Sequence, residues 1–215
     1  MEFKEIPFVK QLYDKSCGAS CIEMLYKYYG IEDKQEYIWD RIKGRYNPNS
    51  KLSCIPDKII NELRNKGLNA SSCSSSKLES FINTCIQADI DVMILYRQKD
   101  SHTDAHFSVL VKKEGGSIYV NNPEPEEKEG FRQRIRILEL SKLMKKKRDE
   151  ISQDIIMDNV FIVVSKSNSN MSAFKCPNCG NDIIIFTVLS PLLDNALCVS
   201  CKMGFSLKGC ELKIK

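Results

Sequence analysis

The spacing of apolar positions changes once along this chain, from a helical period to a strand period. Over 16–29, Ala19, Ile22, Met24, Leu25 and Tyr28 share a broad apolar face, the spacing of an amphipathic helix. Ser16 stands where an N-cap belongs and Gly30 where a helix ends. A second helix is expected over 56–67, PDKIINELRNKG, with proline in its first turn and a closing glycine. A shorter third, KLESFINTCIQ over 77–87, follows a run of serines. The period then drops to two. DVMILYR over 91–97, HFSVLVKK over 106–113 and SIYVNN over 117–122 are rich in β-branched and aromatic residues, as strands are. KEGGS joins the last two as a hairpin would. A basic helical patch, LSKLMKKKRDE, and a final strand, NVFIVVSK over 159–166, complete the unit.

Helices first and strands afterwards predict an α+β domain with a mainly antiparallel sheet. SKSNSNMS over 165–172 is small, polar and aperiodic, which predicts a linker. The expected organisation is therefore a domain over 1–166, a linker over 167–173 and a small unit over 174–215.

Composition narrows the function classes. With 215 residues and 42% hydrophobic positions, one sizeable core and a small second unit are affordable. A net charge of +4 is too thin over this length to imply nucleic acid. The N-terminus carries no apolar core of a signal peptide, and no apolar run approaches the ~18–20 residues that span a bilayer. A soluble cytoplasmic protein is expected, with its ten cysteines serving as thiols, metal ligands or nucleophiles rather than bridges.

Four of those cysteines form two C-x-x-C pairs, Cys176 with Cys179 and Cys198 with Cys201, separated by eighteen residues. Four thiolates at this spacing suit tetrahedral Zn²⁺. The tail resembles a zinc ribbon, in which a closed shell of four ligands makes the metal structural rather than catalytic. Two disulfides, or free thiols, are the alternative. Cys210 has no assigned partner. The tail, with five lysines against three acidic residues, is a candidate for docking a partner protein rather than nucleic acid.

Cys17 falls at the first turn of the first helix, where the macrodipole and unpaired amides lower a thiol's pKa; Cys21 lies a turn further in and reads as core. A thiolate needs a base, and the chain has two histidines. His102 lies in the polar stretch RQKDSHTDA, whereas His106 opens a strand, whose regular backbone favours fixed geometry. Asn121 and Asn122 end the next strand, where an orienting amide would lie if the two strands pair. Gln11, six residues before Cys17, is placed to donate to a developing oxyanion beside the Cys17 amide.

The stretch CGASCIEMLYKYYG matches the pattern C-G-x₅-M-x₃-Y-Y-G of the bacteriocin-processing peptidases, and HFSVLVKKEGGSIYVNNP is similar to that family's second conserved stretch. LELSKLM over 138–144 resembles its late segment. The resemblance covers about residues 5–166. It implies a papain-like cysteine peptidase of the kind that cuts double-glycine leader peptides, with no metal or organic cofactor in the chemistry. It also implies Cys17 as nucleophile, His106 as general base and acid, Gln11 as oxyanion donor, and Asn122 in place of the family's aspartate before Pro123. No transporter segment follows, so peptide export is not expected of this chain. Acyl transfer on the same triad, and a non-enzymatic adaptor using the tail to hold a partner, are the other readings.

Overall fold

The computed structural model describes residues 3–45, 52–97, 105–124, 131–144, 159–166 and 171–207. Helix α1 spans Cys17–Tyr29, α2 Gln35–Ile42 and α3 Pro56–Asn65. A small ladder of β1, Lys43–Gly44, with β2, Ser53–Cys54, lies between α2 and α3. Gly30 ends α1 with φ +72°, its amide turned back onto Tyr26 and Lys27 carbonyls.

Strand β3, Asn69–Ser74, precedes α4, Leu78–Gln87. Strands β4, Asp91–Arg97, β5, Ala105–Glu114, β6, Ser117–Asn121, and β7, Arg132–Arg136, then form a continuous meander. Helix α5, Ile137–Leu143, and strand β8, Val160–Ser165, follow. The tail holds a hairpin of β9, Met171–Lys175, with β10, Asp182–Phe186, then a 3₁₀ turn, Thr187–Leu192. A second hairpin joins β11, Asn195–Leu197, to β12, Gly204–Ser206.

One eight-stranded sheet in the order β12-β11-β3-β8-β4-β5-β6-β7 organises the molecule, and every pairing in it is antiparallel. Its central strands alternate apolar side chains to both faces. Met93, Phe107, Val109, Ile162 and Val164 pack against Ile22 and Leu25 of α1 and Ile59 and Leu63 of α3. Val92, Ile94, Leu110, Phe161 and Val163 face the other way, onto Phe81 and Ile82 of α4 and the tail residues Phe174, Ile183, Ile185 and Phe186. Burial on both faces explains why β4 and β8 read as unbroken apolar runs. Among the described residues, no helix is long and apolar enough to cross a membrane.

The tail does not stand apart as the sequence led us to expect. Met171 opens β9 within the stretch read as linker, of which 167–170 lie outside the described residues. Strand β11 extends the main sheet, with Asn195 opposite Ser74 and Ala196 opposite Cys73. The serine run that seemed only to introduce a helix is this contact. Asp194 N donates to Ser74 O (2.8 Å), Asn195 Nδ2 to Ser74 Oγ (2.8 Å) and Ser75 Oγ to Leu192 O (2.7 Å). Small hydroxyl side chains let the tail approach closely and satisfy its polar groups there.

A shared core predicts shared unfolding. Phe186 is fully buried, and Phe186→Ala should cost about 3–5 kcal/mol. The chain's single tryptophan, Trp39, sits in the opposite core layer. Urea unfolding followed by Trp39 fluorescence should therefore shift to lower denaturant in the variant. An unmoved Trp39 transition would mean that the tail unfolds by itself.

Candidate functional site

Three elements bring Cys17, His106 and Asn122 to one rim of the sheet. Cys17 is the first residue of α1, His106 the second of β5, and Asn122 follows β6. Pairing of β5 with β6 sets Val109 opposite Asn121, and the Phe107 amide donates to Cys17 Sγ at 3.5 Å. His106 Nε2 lies 2.7 Å from Asn122 Oδ1. That oxygen also accepts from the Glu124 amide at 2.9 Å, so it is an acceptor and Nε2 is the donor. The tautomer is thereby fixed, leaving Nδ1 for the thiol. Asn122 Nδ2 reaches Gln133 Oε1 on β7 at 3.4 Å, and Gln133 Oε1 also accepts from Tyr96 Oη at 3.1 Å. The Tyr96 ring stands edge-on to the imidazole, 6.2 Å between centroids.

The electrostatics follow from these contacts. Cys17 is only 6% exposed, yet its thiol is held well below the ordinary range. A hydrogen bond from Cys54 is the largest cause; burial opposes it, and the His106 ring and the Phe107 amide add to the lowering. His106 goes the other way. Burial alone would lower it, but the contacts with Cys17, Asn122 and Glu124 leave it raised above the usual imidazole value. A depressed thiol beside a raised imidazole favours the proton on the ring and the charge on the sulfur. Cys21, fully buried, is pushed up by desolvation and by the Cys17 charge, and stays a core thiol.

Gln11 lies on the loop ahead of α1, where its amide donates to Pro123 O at 2.9 Å. The loop is thus tied to the segment bearing Asn122, and the Gln11 Oε1 atom is buried without a hydrogen-bond partner among the described residues. Asn121 does a different task from its neighbour, donating from Nδ2 to Ile6 O at 2.9 Å. His102 and Cys210 lie outside the described residues.

Cys54 escaped the sequence reading, since nothing in LSCIP marks it. Ser16 leaves the start of α1 without a side-chain cap, its Oγ donating instead to Tyr13 O at 2.8 Å. The amides of Gly18 and Ala19 turn to the Cys54 sulfur. A Cβ on Gly18 would come within 2.9 Å of that sulfur, so only glycine admits it. Cys54 also lies 3.2 Å from Lys15 O. Its single proton goes to Cys17 once that thiol is ionised, because a charge-assisted bond is the stronger. Gln133 was missed as well, although FRQRIRI alternates with the period of a strand.

At the far end of the sheet, Cys176, Cys179, Cys198 and Cys201 bring their sulfurs within 4.8 Å of one another. Cys176 and Cys201 are 3.6 Å apart, as are Cys179 and Cys198. A disulfide needs about 2.05 Å, whereas tetrahedral thiolates at ~2.3 Å from a metal lie roughly 3.8 Å apart. Each pair sits on a tight turn: Gly180 N donates to Cys176 O (2.9 Å) and Lys202 N to Cys198 O (2.8 Å). Gly180 and Lys202 take positive φ, +74° and +62°. The cluster fits a metal ion.

No curated protein matches the chain in sequence. Solved structures share its fold, three of them as follows. A C39-like peptidase from Bacillus anthracis aligns with TM-score 0.58 at 15% identity, over 78% of this chain and 99% of that one. The peptidase domain of Streptococcus ComA, a bifunctional ABC transporter of a quorum-sensing pathway, gives 0.54 at 12%, over 76% and 100%. A double-glycine motif protease from an AMS/PCAT transporter, in complex with the leader peptide, gives 0.51 at 16%, over 75% and 92%. The Peptidase C39 family model matches residues 5–143, well over half of the chain and the whole of the rim just described. The chain belongs to the Peptidase C39 family and is a cysteine peptidase.

Proposed function

We propose that Cys17, His106, Asn122 and Gln11 carry out peptide-bond hydrolysis, on a leader-type peptide or a protein with an accessible extended segment. The observation that carries this reading is the 2.7 Å bond from His106 Nε2 to Asn122 Oδ1, which leaves Nδ1 for the thiol. The Cys17 thiolate attacks the scissile carbonyl carbon. Gln11 Nε2 and the Cys17 N–H receive the oxyanion. His106 gives its Nδ1 proton to the leaving amine as the C–N bond breaks, leaving an acyl-enzyme. It then takes a proton from water, whose oxygen attacks the thioester and releases the acid and the thiolate. Asn122 orients the ring without adding charge, so the imidazolium is compensated by the thiolate and by the Glu124 carboxylate 3.9 Å from Nδ1. The preference for a leader-type peptide rests on the family and on the fold neighbour that holds a leader peptide.

The two tail hairpins form a zinc ribbon in this reading, with Cys176, Cys179, Cys198 and Cys201 as ligands of one structural Zn²⁺. The ion would hold the second face of the sheet closed by cross-linking β9–β10 to β11–β12, and would supply no catalytic chemistry. Metal analysis of purified protein should find one zinc per chain. Cys179→Ser should abolish it and lower the unfolding midpoint, because binding free energy there is folding free energy.

The reading is tested by labelling the folded chain with an electrophilic peptide probe and identifying the modified cysteine by mass spectrometry. Cys17 should carry the label and Cys21 none; the reverse would overturn the assignment. His106→Ala should lower kcat by roughly 10²–10⁴-fold. Asn122→Ala should lose less and Asn122→Asp least, since the carboxylate still accepts from Nε2. Asn121→Ala should reduce stability while sparing kcat, and the opposite pattern would transfer the orienting role to Asn121.

The pH profile of kcat/KM should be a bell. Activity appears as Cys17 loses its proton, below the usual thiol range, and disappears as His106 loses its own, above the usual imidazole value. Cys54→Ala should move the acid limb upward and leave the alkaline limb where it was. An unmoved acid limb would remove Cys54 from the account.

A further inference from the structure

Gln35, the first residue of α2, is a buried amide, 2% exposed, whose hydrogen bonds leave its own helix and go to the loop that precedes Cys17. Its Nε2 donates to Lys10 O at 2.9 Å, and its Oε1 accepts from Leu12 N at 2.7 Å. One side chain therefore grips the peptide groups on both sides of Gln11. The backbone N–H of Gln11 itself is held from elsewhere, donating to Pro123 O. The remaining contact, Ser16 Oγ to Gln35 Oε1 at 3.3 Å, is the weaker use of that hydroxyl proton, because Tyr13 O takes it at 2.8 Å. Gln35 thus acts on the flanks of Gln11 rather than on the residue before Cys17.

The Gln11 side chain gives a reason why this grip matters. Its Oε1 is buried and has no hydrogen-bond partner among the described residues, so nothing at that atom fixes the direction of the amide. Its aim depends on where the backbone holds its Cα. The loop is not a strand or a helix and has no ladder to hold it. Two bonds from one buried amide stand in for a ladder.

We infer that Gln35 is a positioning residue of the peptidase: by clamping Lys10 O and Leu12 N it aims the Gln11 amide at the oxyanion. The inference rests on the reading of Gln11 as oxyanion donor. Without the clamp the donor lies off its target, and a misplacement of about 1 Å costs on the order of 10²-fold in rate. The thiolate–imidazolium pair is built from α1, β5 and β6 and should be untouched.

The two halves of the site are separable with two small reagents and the full chain. Acylation of Cys17 by p-nitrophenyl acetate passes through a tetrahedral oxyanion, with p-nitrophenolate as leaving group. Alkylation by iodoacetamide displaces iodide at carbon and forms none. Gln11→Ala should slow acylation by about 10²-fold, the scale of one lost oxyanion donor. Gln35→Leu should slow it by about 10–100-fold. The double variant should be no slower than Gln11→Ala alone, because both remove one function. Alkylation rates and their pH dependence should match the wild type in all three. Gln35→Glu keeps the acceptor for Leu12 N, sets a carboxylate oxygen against Lys10 O, and guards against a Leu variant that fails to fold; it too should lose acylation and keep alkylation. Wild-type acylation in both Gln35 variants would overturn the inference. So would a parallel loss of alkylation, or losses that multiply in the double variant. Wild-type acylation in Gln11→Ala would instead remove the oxyanion assignment beneath it.

Discussion

A sheet with apolar side chains on both faces has to be covered twice, and the rest of this structure follows from how that is done. Helices α1, α2 and α3 cover one face, and α4, α5 and the cysteine-bearing tail cover the other. Phe81 stacks on Phe161 at 4.4 Å between centroids, and the tail residues close over them. The first cover puts the start of α1 against β5, which is where Cys17 meets the backbone of Phe107. The rim that carries Cys17, His106 and Asn122 is thus a by-product of packing, and its precision is that of the sheet beneath it.

Around the imidazole and the thiol, buried polar groups that would be costly unpaired are paired in directions that serve charge separation. Asn122 Oδ1 accepts hydrogen bonds from both His106 Nε2 and Glu124 N. Its amide nitrogen turns to Gln133, which Tyr96 also holds. On the thiol side, Phe107 N and Cys54 supply donors to sulfur. A carboxylate in place of Asn122 would stabilise the imidazolium directly. Here the amide is neutral, and the ring's positive charge is favoured by the Cys17 thiolate and, at 3.9 Å from Nδ1, by the Glu124 carboxylate.

Much of this was legible in the sequence, because the signals were local. The apolar stripe and terminal glycine gave α1 almost to the residue, and β-branched runs gave β4, β5, β6 and β8. Cys17 at a helix start and His106 at a strand start are likewise local facts. What escaped was non-local. Strand β3 carries serines because the tail docks there, a requirement no window of its own sequence reveals. The resemblance names Asn122, but the residues alone leave Asn121 and Asn122 open, since strand pairing decides that one faces the imidazole and the other Ile6 O. Cys54 lies 37 positions from Cys17, and Gln35 lies 24 positions from Gln11, whose flanks it holds. Polar tail residues were read as a linker because small and hydrophilic side chains look alike whether they float or pair.

The central claim is that Cys17 and His106 share a proton as an ion pair, and nitrogen NMR of the imidazole reads it directly. In the ¹⁵N-histidine-labelled chain, the two His106 ring nitrogens should titrate with a pKa above the ordinary imidazole value. In Cys17→Ala that pKa should fall, because burial then acts on the ring without the thiolate to offset it. A His106 titration that is the same in both proteins would contradict the ion pair.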